Sequence, residues 1–347
     1  MIALDAMGGD SAPHATVHGA IQAAQAGVPI CLFGNEKKII PLLFSYDRKW
    51  EQLPLSFVHC PDTIGMADEP AKTIKQKNSS LVMAMQSVAD NKTTAFVSAG
   101  NSGSILVAAT FIVKRIKGIK RPAIGTFLPT YTGSIFCLDL GANTDCKPEF
   151  IEQFALMGHL FVTIVKNIDT PRIGLLSNGH EPYKGSQLTK EVYKRLEHSN
   201  LTFVGNIEAR DIFLGNADVL VHDGFSGNVM LKTMQATAKA VSYWLKKYSS
   251  WWQKLLLYFS PLAALKNKVD YSRSGGALLL GVNKPVVIAH GCSNATAIKN
   301  ALIYAHRLVE KQIIDTFAHK LQDTVHHHFF PFSAISEKVK DLLHLRK

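Results

Sequence analysis

Gly205-Asn-Ile-Glu-Ala-Arg-Asp-Ile-Phe-Leu-Gly-Asn-Ala-Asp-Val-Leu-Val-His-Asp-Gly-Phe-Ser-Gly-Asn-Val-Met-Leu-Lys-Thr233 is the stretch whose reading decides the fold. Ala217 to Val221 reads as a short buried strand and Asp223 to Gly227 as a glycine turn. Asn228 onward reads as a helix, because Val229, Met230, Thr233 and Met234 recur at helical spacing. A strand that ends in a glycine turn and opens a helix aims backbone N–H groups outward, which suits an anion. Glu208, Arg210, Asp211, Asn216, Asp218, His222, Asp223, Ser226 and Asn228 crowd the same interval. A polar strand-turn-helix connection explains any one of them, but explains the cluster less well.

Working outward, the same rhythm recurs. Ile2 to Leu4 is a short apolar strand, and Asp5-Ala-Met-Gly-Gly-Asp10 a glycine turn leading to a helix. Val28 to Gly34, Leu55 to Cys60 and Thr94 to Ser98 read as strands, and Ser79 to Ala89 as a helix. The expected fold is therefore α/β, a Rossmann-like three-layer arrangement with a mainly parallel sheet and ligands outside the strands' carboxyl ends. Residues 1–310 read as one large domain, and 311–347 as a helical tail. With 347 residues, 47% hydrophobic and 19% charged, the chain can bury a large core.

Five cysteines without CxxC spacing point to reduced thiols rather than a disulfide framework or a zinc site. The N-terminus enters strand-like sequence directly, so no export is expected, and no apolar run approaches the ~20 residues of a membrane span. A net charge of +11 predicts acidic partners, whether nucleic acid, an anionic membrane or an acidic carrier protein.

Small polar residues follow several strands: Ser98-Ala-Gly-Asn-Ser-Gly-Ser104, Asp139-Leu-Gly-Ala-Asn143, Ser177-Asn-Gly-His-Glu-Pro-Tyr-Lys-Gly185 and His290-Gly-Cys-Ser-Asn294. Their common chemistry is hydrogen-bond donation to a phosphate or an oxyanion. No GxGxxG after a strand, GxxxxGK[ST], GxSxG or HExxH is present. Gly275-Gly-Ala-Leu-Leu-Leu-Gly281 lacks the lysine of a nucleotide loop and reads as a strand, and His326-His-His328 as a surface run rather than a metal site. Lys184, between Pro182 and Gly185, and Asn228 carry the most weight as functional residues. Asp223 and His290 carry less, since one can simply shape a turn and the other satisfy a core hydrogen bond.

From Lys239 to Arg273 there are seven basic residues against one acid, and three of the four tryptophans. Trp244, Tyr248, Trp251, Trp252, Leu255, Phe259 and Leu262 share one side at helical spacing. Such a basic, aromatic, amphipathic segment suits either a membrane interface or a helix packed in the core or against a second subunit.

On these residues the chain resembles the bacterial phosphate acyltransferases of phospholipid synthesis, the PlsX family. The match rests on Asp5-Ala-Met-Gly-Gly-Asp10, Ser98-Ala-Gly-Asn101, Arg121-Pro122, Leu138-Asp-Leu-Gly-Ala-Asn143, Lys184-Gly185, Gly205-Asn206, Arg210-Asp-Ile212, Asp223-Gly-Phe225, Gly227-Asn-Val229, Leu231-Lys-Thr233, Gly275-Gly-Ala277 and His290-Gly291. The family usually carries Gly at Ala209, Ser at Cys292, and Asn-Ile-Gly-Glu-Glu in place of Ser177-Asn-Gly-His-Glu181.

The resemblance implies a fold like that of phosphate acetyltransferases and isocitrate-type dehydrogenases. It implies acyl transfer from acyl carrier protein to inorganic phosphate, without a metal or other cofactor, in a cytoplasmic homodimer on the inner membrane face. Nucleic acid is not an expected partner. Lys184, Asn228, Asp223 and His290 are then the catalytic candidates, and Asp5, Gly8, Gly9, Ser98, Asn101, Asn143, Gly185, Arg210 and Gly227 the candidates for holding phosphate and the acyl thioester. Trp244, Trp251, Trp252, Leu255 and Phe259 are the membrane candidates. The alternatives are a dehydrogenase of the related fold, for which no acidic metal pair or nicotinamide signature is found, and a membrane-bound scaffold with a decayed site.

Overall fold

A computed structural model describes residues 1–248 and 275–327. The strands are β1 (Ile2–Asp5), β2 (Ile30–Gly34), β3 (Leu55–His59), β4 (Ala95–Ser98), β5 (Ala123–Pro129), β6 (Ser134–Leu138), β7 (Ile173–Ser177), β8 (Phe203–Glu208), β9 (Val219–Val221), β10 (Ala277–Leu280) and β11 (Val286–Ile288). They form one sheet in the order β3-β2-β1-β4-β11-β10-β5-β6-β9-β7-β8.

The apolar runs become strands covered on both faces, which is why they lack polar alternation. Successive side chains point to opposite faces. Ile2 and Leu4 thus enter one core and Ala3 the other, and Phe136 and Leu138 separate likewise from Ile135 and Cys137. One core is covered by α1 (His14–Ala24), α2 (Glu36–Tyr46), α5 (Pro148–Lys166), α6 (Gln187–Glu197), α8 (Ala295–Glu310) and α9 (Ile313–His327). The other lies under α3 (Ser80–Ala89), α4 (Ser102–Ala108) and the start of α7 (Gly224–Tyr248). The three layers of the sequence reading are present.

The strand directions add something the sequence reading lacked. β3, β2, β1, β4 and β11 are mutually parallel, as are β6, β9, β7 and β8. Between these arms β10 is antiparallel to both β11 and β5, and β5 is antiparallel to β6, so the arms run in opposite senses. The strand-end loops therefore form two groups, one after β1, β4 and β11 and another after β6, β7 and β9.

Two boundaries differ from expectation. Ile313, Ile314, Phe317 and Leu321 are buried in the main core, so the tail's first helix belongs to the body. α7 begins at Gly224 rather than Asn228, because Asp223 caps it: its Oδ1 accepts the Ser226 N–H and its Oδ2 the Ser226 hydroxyl, both at 2.8 Å. The basic segment is described only through Tyr248, as a continuation of α7. Trp251, Trp252, Leu255, Phe259 and Leu262 lie outside the described residues, as does His328.

Candidate active site

Each group of loops is built around a buried carboxylate. Asp5, at the end of β1, accepts from the Ser80 hydroxyl at 2.6 Å and the Met7 N–H at 3.3 Å through Oδ1, and from the Ser98 hydroxyl at 2.8 Å through Oδ2. Ser98 Oγ in turn accepts the Gly100 N–H at 2.9 Å. Burial pushes the Asp5 carboxyl up, and these donors oppose that. A Cβ at Gly8 would lie 2.5 Å from Asp5 Oδ2 and 2.7 Å from Ser98 Oγ, so a glycine is what lets the loop close over the carboxylate. The neighbouring loops are tied in by Asp10 N donating to the Gly291 carbonyl at 2.8 Å, and by the Asn101 amide donating to the Met66 and Asp68 carbonyls at 3.0 Å.

Asp139 does the same for the other arm. Its Oδ1 accepts the N–H groups of Ile124, Gly141 and Ala142, and its Oδ2 the backbone and side-chain N–H of Asn143 at 2.7 and 2.9 Å. Burial raises its pKa against those donors. The Asn143 amide also donates to the Pro122 carbonyl, and the Asn143 carbonyl receives the Gly224 N–H at 2.7 Å. The start of α7 is thereby clamped to the Asp139 loop.

That clamp changes the meaning of the two glycines in Asp223-Gly-Phe-Ser-Gly227. Neither has a positive φ. A Cβ at Gly224 would lie 2.5 Å from the Asn143 carbonyl oxygen, and one at Gly227 would lie 2.1 Å from His222 Cε1 and 2.3 Å from the Asp139 oxygen. The glycines serve close approach, not a turn. The expectation of a helix end open to an anion is corrected accordingly: the N–H groups of Gly224, Ser226 and Gly227 already donate to Asn143, Asp223 Oδ1 and the Asp223 carbonyl.

The remaining candidates divide between the two groups. Asn228 stands on α7 against the Asp139 loop, its amide 3.5–3.7 Å from where a Gly141 Cβ would be. Lys184 is exposed in the β7 loop, its backbone N–H on the Glu181 carbonyl at 3.0 Å. Gly185 needs its φ of +95°, and a Cβ there would meet Thr189 at 2.7 Å. Arg210 pairs through Nε with Glu208 at 3.1 Å and lies 3.8 Å from Asp211. His290 follows β11, its Nδ1 accepting the Cys292 N–H at 3.3 Å with Cys292 Sγ at 3.0 Å. Burial lowers the His290 pKa, and Lys239 and Lys232 of α7 lower it further, so α7 passes within electrostatic reach of the other arm's loops. Asp5, Ser98, Asn101 and Asn143 commit their side chains to holding loops rather than presenting donors to a ligand.

Sequence reasoning missed Ser80, and named Asp139 only as the head of a strand-end loop and His222 only within the polar cluster, giving neither a role of its own. His222 is fully buried, its Nδ1 on the Asp223 carbonyl at 3.2 Å, and burial lowers its pKa to about 4. One signal was available for Asp139: an apolar strand, then Asp, then glycine within three residues, repeats the pattern of Ile2 to Gly8.

A family model described as "Fatty acid synthesis protein" matches residues 1–316. A phosphate acyltransferase of Geobacillus thermodenitrificans is 45% identical over 331 residues, covering 93% of this chain and 99% of its own. The chain belongs to the phosphate acyltransferase family. The relative from Geobacter sulfurreducens, 41% identical, extends the match to 97% of this chain and 99% of its own, so this acyltransferase aligns with its relatives nearly end to end. Among solved structures, a phosphotransacetylase from Streptococcus pyogenes superposes with a TM-score of 0.59 at 17% identity, covering 89% of this chain and 94% of that one. A 4-hydroxythreonine-4-phosphate dehydrogenase from Klebsiella pneumoniae gives 0.51 at 11% identity, covering 89% and 99%. The phosphate acyltransferase fold is thus that of phosphotransacetylases, shared with a dehydrogenase class.

Proposed function

We propose that this acyltransferase moves a fatty acyl group from acyl carrier protein to inorganic phosphate, releasing acyl phosphate for phospholipid synthesis. Phosphate is an anion at neutral pH, so as nucleophile it needs positioning more than deprotonation. Its oxygen attacks the thioester carbonyl, the developing oxyanion needs fixed donors, and collapse expels the carrier thiolate. The observation that carries this reading is the placement of Asn228: its amide lies against a loop whose N–H groups Asp139 draws inward, so a donor stands beside a loop that is already fixed. In this reading Asn228 holds the oxyanion and Lys184 the phosphate charge, with Arg210, braced by Glu208 and Asp211, adding to the positive field.

The carrier protein is acidic, and the basic segment from Lys239 supplies a complementary surface. Trp244 and Tyr248 are exposed on the described part of it, and among the described residues no helix is long and apolar enough to cross a membrane. In this reading the same segment docks the enzyme peripherally on an anionic membrane face, and the enzyme works as a homodimer, as the resemblance implies. The deciding experiment is phosphate-dependent loss of acyl carrier protein thioester on adding pure protein, with acyl phosphate trapped by hydroxylamine after exhaustive chelation. Loss that is independent of phosphate, or that needs NAD, rejects the reading, and no loss at all supports a decayed scaffold.

A further inference from the structure

Three side chains, one from the β7 loop and two from the segment that ends β8, stand close together. His180 Nε2 lies 3.1 Å from Asp211 Oδ2 and 3.6 Å from Glu208 Oε1. One nitrogen and two carboxylate oxygens all fall within 4.8 Å of one another. His180 Nδ1 is 3.4 Å from the Asn206 backbone carbonyl, which can only accept, so Nδ1 carries a hydrogen in that contact. In the neutral ring the Nε2 lone pair then faces two carboxylates. That is repulsive unless a cation sits between them. A histidine fixed through its other nitrogen by a carbonyl, with its lone pair aimed at carboxylates, is how protein ligands to metals are held.

Two further observations point to a missing cation rather than to an ordinary ion pair. Asp211 Oδ2 is screened from solvent and has no hydrogen-bond partner among the described residues, so its 3.1 Å approach to His180 is a charge contact only. Asn206 stands two residues before Glu208 on β8, so its side chain leaves the strand on the same face. It is 5% exposed, its amide nitrogen is fixed on the Glu181 carbonyl at 2.8 Å, and its Oδ1 has no partner among the described residues. A water on a bound ion would satisfy that oxygen. The charges agree: Glu208 and Asp211 contribute two negatives and Arg210 one positive, leaving an excess negative charge when His180 is neutral.

We propose that His180 Nε2, Glu208 and Asp211 bind a divalent first-row transition cation, which ties the β7 loop to the segment after β8. One imidazole and two carboxylates leave coordination positions open to water, and such a nitrogen and oxygen set takes zinc in preference to most first-row ions. The cation shares Glu208 and Asp211 with Arg210, so it borders the acyl-transfer reading above but supplies no group that touches the substrate there.

Zinc is the probe, titrated into the full chain against a chromophoric chelator. Wild-type protein is expected to bind one equivalent more than His180→Gln or Asp211→Asn, or to hold it at least tenfold more tightly. Zinc held by the Cys292–His290 pair or the His326-His-His328 run is common to all three proteins and cancels in the difference. Tryptic cleavage after Lys184 gives a second readout: zinc should slow it in wild type and leave it unchanged in His180→Gln. Equal stoichiometry and affinity in wild type and His180→Gln, with circular dichroism showing both folded, overturns the proposal.

Discussion

Replacing Asp139 by Asn tests whether one buried carboxylate organises the candidate site. The substitution keeps size and removes an acceptor. Asn can reproduce the three bonds on Oδ1, but in place of Oδ2 it presents an NH2 to the Asn143 N–H at 2.7 Å and the Asn143 amide at 2.9 Å. Two donors then face a donor. Hydrogen bonds to charged groups contribute about 1.5–3 kcal/mol each, so the loss is about 3–6 kcal/mol before any relaxation. At about 2.1 cal/mol/K per residue, 347 residues give an unfolding entropy of about 0.73 kcal/mol/K, and the loss corresponds to a Tm lower by about 4–8 °C. Because the Asn143 carbonyl seats the Gly224 N–H, turnover should fall further than stability implies, as the Asn228 donor loses its place. Differential scanning fluorimetry and the hydroxylamine assay are run on the same preparations. A variant within about 1 °C of wild type that turns over normally would refute the reasoning.

Other expectations follow from the same contacts. Lys184→Ala and Asn228→Ala should each lose about 10²–10³ in kcat with an unchanged Tm, and wild-type turnover in either removes that residue from the chemistry. Gly227→Ala should prevent stable folding despite the helix propensity it gains, since its Cβ falls 2.1 Å from His222, whereas a Cβ at Gly133 meets nothing within 4 Å and Gly133→Ala should be silent by chemical denaturation. His222, with a folded pKa of about 4 against a reference of 6.5, binds its proton more readily when unfolded. Its contribution, about 3 kcal/mol, is present above pH 6.5 and lost as pH falls through about 4; stability of His222→Gln should depend less on pH across that window. Lys246, Lys247 and Lys254 replaced by Glu should abolish flotation with anionic vesicles, as high salt does. Trp251→Ala with Trp252→Ala should weaken it in a less salt-sensitive way, while a fall to monomers or aggregates would mark a subunit contact instead.

Much of this fold was legible because its signals are local. Ile2 to Leu4 and Thr94 to Ser98 are apolar runs bounded by glycine turns, and such runs become strands wherever both faces are covered. The loops that follow them were legible for the same reason. The opposed sense of the two arms was not, because antiparallel pairing of β10 with β11 and β5 is a long-range choice that no local period records. The start of α7 was misplaced because glycine was read for its conformational freedom, while Gly224 and Gly227 answer to atoms of Asn143 and His222 distant in sequence or hidden in the core. The loop-holding bonds of Ser98, Asn101 and Asn143 were hidden for a similar reason: composition shows a polar side chain, not which way it faces.

Among the described residues α7 is gripped near its start, where Met230 is buried and Leu231 and Met234 pack on the same core. Gly224 is clamped to Asn143, and beyond Met230 no described residue of the helix is buried. Eighteen residues from there to Tyr248 span about 27 Å at 1.5 Å per residue. Mechanically this is a cantilever whose root is the Asp139 loop. Rotating it by about 5° about that root moves the tip by roughly 2 Å while shifting atoms at the root by only a few tenths of an ångström. Read in reverse, a modest lateral force on Trp244 or Tyr248 is delivered as torque on the joint that seats Asn228, so whatever the far end touches is mechanically geared to the candidate active site.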